Sequence, residues 1–93
     1  MLWFTWDPTK ALANIRKHGV DFREAATAFS DPHSISIADP DHSRPAEERW
    51  LLLGYSQEGR LLVIAHTEQG DEIRIITARL ATRPERETYE EAH

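Results

Sequence analysis

The sequence predicts an α+β fold with two N-terminal helices, a four-stranded antiparallel meander sheet and a C-terminal helix, in the order α-α-β-β-β-β-α. Two helix-start signals, Asp7-Pro8 and Asp21 with Glu24 three residues on, fall at the beginning of the chain. Four β-prone runs then follow one another across turns and a loop, with no room for crossovers, so they pair antiparallel. Thr82 with Glu85 three residues on makes a capping box that opens the last helix.

Leu2-Trp3-Phe4-Thr5-Trp6 is short, aromatic and β-prone, an edge strand or an anchor into the core. Asp7 caps the first helix, Pro8 takes its first position, and Gly19 stops it after His18. Its apolar face is thin (Ala11, Leu12, Ile15), while Lys10, Asn14, Arg16, Lys17 and His18 look outward. Phe22, Ala25, Ala26 and Phe29 give the second helix a buried stripe, which ends before Asp31-Pro32. Strands are expected at Ser34–Ala38, Arg49–Tyr55, Leu61–Thr67 and Glu72–Arg79. Residues 39–48, rich in charge and carrying two prolines, form an exposed loop, and Ser56 to Arg60 and Gln69-Gly70 are hairpin turns.

A two-residue turn at Gln69-Gly70 pairs His66 with Ile73 and Ile64 with Ile75. His66, Ile75, Thr77 and Arg79 then share one face, and Val63, Ala65, Arg74 and Ile76 the other. An odd-length turn puts His66 beside Arg74 instead. Both faces carry aliphatic residues in either case, so the last helix or another chain must cover the second face.

The 93 residues are expected to form one domain, 1–93. No cysteine is present, which excludes disulfides and thiolate metal sites and favours an intracellular setting. No apolar run is long enough to span a bilayer, so a cytoplasmic protein without membrane contact is expected. A net charge of −5 argues against binding nucleic acid by bulk electrostatics. Placement softens this, because acids crowd 39–48 and 87–91 while arginines sit mainly on the C-terminal strand and helix.

His66, Glu68, Arg74, Arg79, Arg83, Arg86 and Tyr89 all fall within a strand–turn–strand–helix unit. An imidazole, a carboxylate and four guanidiniums suit a site that grips and cleaves a phosphodiester. Each residue has a plainer reading too: arginines pair with nearby glutamates, and a strand histidine is often a hydrogen-bonded core residue. Asp39, Asp41 and His42 resemble a divalent-metal cluster, but a mobile loop without supporting groups reads as a solvated turn, so neither metal nor cofactor is expected.

The segments Phe4-Thr5-Trp6-Asp7-Pro8-Thr9-Lys10 and Asn14-Ile15-Arg16-Lys17-His18-Gly19-Val20 resemble the opening signature of BrnT toxins. Phe22-Arg23-Glu24-Ala25-Ala26, Asp39-Pro40-Asp41-His42-Ser43, Glu48-Arg49 and the block from His66 to Tyr89 extend the resemblance over nearly the whole chain. Leu80, Pro84, Glu87 and Thr88 depart from it, standing where the family often carries basic residues. The resemblance implies a RelE-like fold and a metal-independent ribonuclease that halts translation. It also implies neutralisation by a BrnA-like ribbon-helix-helix antitoxin, expected as two toxins with two antitoxins, and a complex that represses its own operon through antitoxin-bound DNA. Arg74 and Arg79 are then the expected phosphate clamps, with Arg83 beside them; His66 or Glu68 moves the proton. Lys10, Lys17, Arg86 and Tyr89 are the expected RNA contacts. The alternative is a non-enzymatic, partner-binding protein, either a degenerate toxin kept as a co-repressor or one that poisons a protein target.

Overall fold

The computed structural model describes residues 1–39, 41–45 and 47–92; Pro40 and Ala46 of the expected 39–48 loop, and His93, lie outside the described residues. In chain order the elements are β1 (Trp3–Thr5), α1 (Pro8–His18), α2 (Phe22–Thr27) with a 3-10 turn at Ala28–Ser30, β2 (Ile35–Ala38), β3 (Arg49–Tyr55), β4 (Leu61–Gln69), β5 (Glu72–Leu80) and α3 (Arg83–Glu91). The class is α+β, but the expected four-stranded sheet has a fifth strand. β1 lies parallel to β5, opposite Glu72 to Arg74, giving a mixed sheet in the order β1-β5-β4-β3-β2. Two short turns and the 39–48 loop make β2 to β5 a meander, whereas β1 is separated from its parallel neighbour β5 by two helices and three strands, ample chain for a parallel pair. No helix among the described residues is long and apolar enough to cross a membrane.

The last hairpin turns at Gly70-Asp71 rather than Gln69-Gly70, so Gln69 pairs with Glu72 and His66 with Ile75. Gly70 takes φ 60, where a residue with a Cβ is strained. A bulge follows: His66 pairs with Ile75, but Ala65 pairs with Thr77, leaving Ile76 as the extra residue on β5. Everything beyond it changes face. His66 and Ile75 therefore look toward the helices, while Thr77 and Arg79 look the other way, on the side of Arg74. The grouping of His66 with Thr77 and Arg79 is corrected by this one residue.

α1 and α2 cover the inner face of the sheet, where Val20, Phe22, Ala25 and Ala28 meet Leu52, Leu62, Ile64, Ile73, Ile75 and Ala78. Asp21 caps α2 as expected, accepting from the Arg23 N–H at 2.8 Å. Glu24 does not close a capping box there; it turns to Arg60, whose Nε donates to it at 2.9 Å, and to the Ser56 hydroxyl at 2.8 Å.

α1 is oriented against the expectation from its apolar residues. Leu12 and Ile15 are 58% and 42% exposed, and Asn14, expected outside, is 5% exposed. β1 ends at Thr5, so β5 beyond Arg74 has no neighbouring strand on that side. Asn14 takes the neighbour's place. Its Nδ2 donates to the Ala78 carbonyl at 2.8 Å and to the Val20 carbonyl at 2.9 Å, and its Oδ1 accepts from the Ala78 N–H at 3.1 Å. What α1 must bury is polar backbone at a sheet edge, a need that outweighs two aliphatic side chains. Removing the carboxamide strands buried donors and acceptors, so Asn14→Ala should lower stability by about 3 kcal/mol in urea denaturation. Leu12→Ala should stay within about 0.5 kcal/mol of wild type. Equal losses in the two variants would show that α1 is held by its aliphatic residues after all.

Candidate functional site

The outer face of the sheet carries a polar row at its hairpin end. Register pairs Arg49 with Thr67, Thr67 with Arg74 and Arg74 with Thr5, so these four side chains stand abreast across β3, β4, β5 and β1. Strand spacing separates Arg49 from Arg74 by roughly 10 Å at the backbone. Arg74 is exposed and has neither hydrogen bond nor ion pair among the described residues. The buried Nε of Arg49 lacks a hydrogen-bond partner among them, with Glu47 Oε1 at 3.8 Å. Thr5 donates its hydroxyl to Glu72 at 3.0 Å.

Further along β5, on the same face, Arg79 is held by α3. Its two terminal nitrogens donate to the two oxygens of Glu85 at 2.7 and 2.9 Å. Glu85 also accepts from the Thr82 N–H at 2.8 Å, completing the capping box that the sequence announced. Arg79's hydrogen bonds, reinforced by those of Thr82, hold the Glu85 carboxyl down at about 2, and Glu85 raises Arg79 in turn. Arg83 is exposed and pairs with Glu87 at 3.3 Å, while Arg86 donates to the Tyr55 hydroxyl at 3.0 Å. Tyr89 is buried: its ring meets Tyr55 edge-on at 5.3 Å, and its hydroxyl donates to Asp31 at 2.7 Å. Burial, then the Asp31 carboxylate, pushes the Tyr89 hydroxyl up to about 12.

His66 lies on the other side. It is fully buried, edge-on to Phe29 at 4.8 Å, with Nδ1 3.1 Å from the Ile64 carbonyl and Nε2 3.0 Å from Glu68. Glu68 is half exposed and shares a recess of about 150 Å³ with Glu47, Glu48, Thr67 and Gln69. The fold thus brings Arg74 and Arg79 to one face and joins His66 to Glu68, but it does not bring the histidine to the arginines. Lys10 and Lys17 line a separate cleft of about 210 Å³, between α1 and the uncovered end of β5. In the 39–48 loop, His42 Nδ1 is 2.9 Å from Asp39, and no group of three or more His, Cys, Asp or Glu side chains gathers among the described residues.

Sequence reasoning left Arg49 out of the site. Alternation from Arg49 to Tyr55 does put Arg49 on the face of Leu51 and Leu53. Its place beside Arg74 depends, however, on the registers of both the β3–β4 and β4–β5 hairpins, and the sequence left the second one open.

Residues 6–85 match the model of a family described as "Ribonuclease toxin, BrnT, of type II toxin-antitoxin system". Among solved structures, the chain is similar to the Brucella abortus ribonuclease toxin BrnT, with 21% sequence identity and a TM-score of 0.63, over 89% of this chain and 100% of that one. At that identity the likeness speaks for the fold. No curated protein matches the chain.

The Arg79–Glu85 fork gives stability a pH signature. A carboxyl held below its unfolded value stabilises the fold above that value and ceases to do so as acid protonates it. Glu85's contribution should therefore be intact above pH 4.5 and be lost as the pH falls toward about 2. Glu24 and Asp31, both lowered, act in the same direction. Urea midpoints measured across this range should fall for the wild type and fall less steeply for Glu85→Gln. Identical slopes would mean that the fork does not couple α3 to the sheet.

Proposed function

The chain belongs to the BrnT family of ribonuclease toxins of type II toxin–antitoxin systems, and from that premise we propose that it cleaves RNA without a metal ion on the outer face of its sheet, with Arg74 clamping the scissile phosphate. The observation that carries this reading is the state of Arg74: an exposed guanidinium rooted in the sheet, with no carboxylate partner among the described residues. An arginine positioned by a β-strand meets a phosphate with its fork already oriented, so little reorganisation is needed as charge builds up.

Cleavage of this kind forms a bond from the ribose 2′-oxygen to phosphorus and breaks the bond from phosphorus to the 5′-oxygen. The 2′-hydroxyl loses a proton, the pentacoordinate intermediate gathers negative charge, and the 5′-oxygen leaves with a proton. Arg74 stabilises the charge, and Arg49 and the Thr67 hydroxyl border the same position. Glu68, hydrogen-bonded to the enclosed His66, belongs to the helix face of β4 and not to the face of Arg74, so neither of the two is assigned the proton transfer there. Arg79 joins the site only when the first turn of α3 releases Glu85, and Arg83 adds charge at that end. The rival reading, a partner-binding descendant without catalysis, is favoured by the carboxylates that already occupy Arg79 and Arg83.

The partner of this reading is a BrnA-like ribbon-helix-helix antitoxin, two copies with two toxins, acting in the cytoplasm and carrying the complex to operator DNA. An apolar groove of about 160 Å³ on the outer face, lined by Ile35, Ile37, Leu51, Leu53 and Val63 with Glu85 and Thr88 at its rim, suits such a partner. Ile37 is 55% exposed there. An antitoxin seated in the groove, burying on the order of 1,200 Å², covers the approach to Arg79 and sets carboxylates near Arg74.

Arg74→Ala should reduce cleavage of single-stranded RNA by roughly a hundredfold or more, leaving the thermal midpoint unchanged. The wild-type rate should be the same in EDTA. Full activity in Arg74→Ala removes the clamp from this mechanism, and activity lost in EDTA and restored by a divalent ion removes the metal-free chemistry. Light scattering of the co-expressed complex should give the mass of two toxins and two antitoxins; a one-to-one mass rejects the stoichiometry.

A further inference from the structure

We infer that the cleft between α1 and the uncovered end of β5 is a second RNA-binding surface, which takes the sugar–phosphate backbone of the strand beyond the scissile phosphate. The inference rests on the cleavage reading and extends it to a part of the molecule outside the Arg74 row.

The cleft is lined by Lys10, Ala13, Asn14, Lys17, His18, Ile76 and Thr77. Lys10, Ala13, Asn14 and Lys17 follow one another at i, i+3, i+4 and i+7, a single face of α1. Two turns of helix set the Lys10 and Lys17 backbones about 10 Å apart along the axis. No carboxylate lines the cleft, and neither lysine has an ion pair among the described residues. Lys17 and His18 are accounted for by the helix dipole, being in the last turn of α1. Lys10 sits in the first turn, where the dipole disfavours a cation and the Asp7 cap, which accepts from the Lys10 N–H at 3.2 Å, offsets that cost.

The cleft joins the cleavage face through Thr77. This residue lines the cleft and lies, past the bulge, on the same side of β5 as Arg74 and Arg79. A strand with one phosphate at Arg74 can therefore pass over the β5 edge at Thr77 and lay further phosphates along Lys10 and Lys17. The floor is apolar, made by Ile76 and Ala13, and suits sugar edges and bases rather than a second layer of charge.

Asn14 decides between RNA and a peptide here. An extended peptide binds a bare sheet edge by pairing with its backbone. At Ala78 both the N–H and the carbonyl are already taken by the Asn14 carboxamide. The edge is thus closed to strand addition at its centre, while the lysines remain available to phosphates, which need no backbone partner.

The test measures binding of a short single-stranded 2′-O-methyl RNA, which cannot be cleaved, as a function of salt. Replacing both cations, in Lys10→Gln/Lys17→Gln, should lower the slope of log affinity against log salt by about 1.4, since each phosphate contact on a single strand contributes about 0.7. Both lysines are exposed, so the thermal midpoint should not move, and Arg23→Gln, at an exposed arginine outside both surfaces, serves as a control for simple loss of charge. Equal salt slopes for the double variant and the wild type overturn the proposal, as does a double variant that binds RNA normally but no longer binds the antitoxin, which reassigns the cleft to the partner. Wild-type protein that cleaves RNA while the lysine variant binds as well as it does sinks this inference alone. Wild-type protein that neither cleaves nor binds RNA sinks the cleavage reading first.

Discussion

An unpaired stretch of β5 is the constraint around which this fold is arranged. β1 covers only Glu72 to Arg74, so the backbone from Ile76 onward faces α1 instead of a strand. A buried N–H and carbonyl left without partners there would cost more than most single contacts in the core return. Asn14 satisfies both at Ala78 and ties in Val20 at the start of α2. One side chain thereby fixes how α1 lies on the sheet, where the turn into α2 begins, and which surface of β5 remains open. The orientation of α1 follows from that bond pattern, and the exposure of Leu12 and Ile15 is its consequence.

The bulge at Ile76 works on the same strand in a different way. An unbroken β4–β5 ladder would put Arg79 and Thr77 on the face of Ile75 and His66, under α1 and α2. With one extra residue the core keeps Ile73, Ile75 and Ala78, while Arg74, Thr77 and Arg79 are turned outward together. Burying a guanidinium under two helices would demand a partner and a large desolvation cost. The bulge avoids that cost and brings Arg79 to the face of Arg74. Bulges are common where a strand must re-aim a side chain, and this one re-aims Thr77 and Arg79.

Much of this was legible from residues alone. Asp7, Gly19, Thr82 and Glu85 announce their caps because a cap is local: the side chain satisfies backbone groups two or three residues away. The β3–β4 hairpin was equally local, with its turn at Ser56 to Arg60. What was not legible depends on partners far apart in sequence. Asn14 reads as a surface polar residue until Ala78, 64 positions on, is known to lack a neighbouring strand. Glu24 reads as a cap until Arg60 arrives, 36 positions on. The site suffered in the same way, since a one-residue bulge leaves no mark on the alternation of Ile73, Ile75 and Ile76 and yet decides which face Arg79 joins.

The distribution of charge bears on how an acidic chain meets the RNA proposed as its substrate. At physiological salt a charge is felt over about 8 Å, so the net −5 matters less than what stands within that radius of the substrate. Glu24, Glu85 and Glu87 are each engaged by an arginine, which removes three carboxylates and three guanidiniums from the field together. Of the cations left without an ion pair among the described residues, Arg74 lies on β5 and Lys10, Arg16 and Lys17 lie on the helix that guards its edge, while Arg23, Arg44 and Arg86 lie elsewhere. The acidic 39–48 loop joins β2 to β3, and its Glu47 and Glu48 share a recess with Thr67, the β4 neighbour of Arg74. Pairing takes Glu85 and Glu87 of α3 out of the field, and Arg74 with the lysines of α1 leaves unpaired positive charge on both sides of one stretch of β5. In the proposed mode of action a phosphodiester reaches β5 where Arg74, Lys10 and Lys17 stand without ion pairs, on a protein whose total charge is −5.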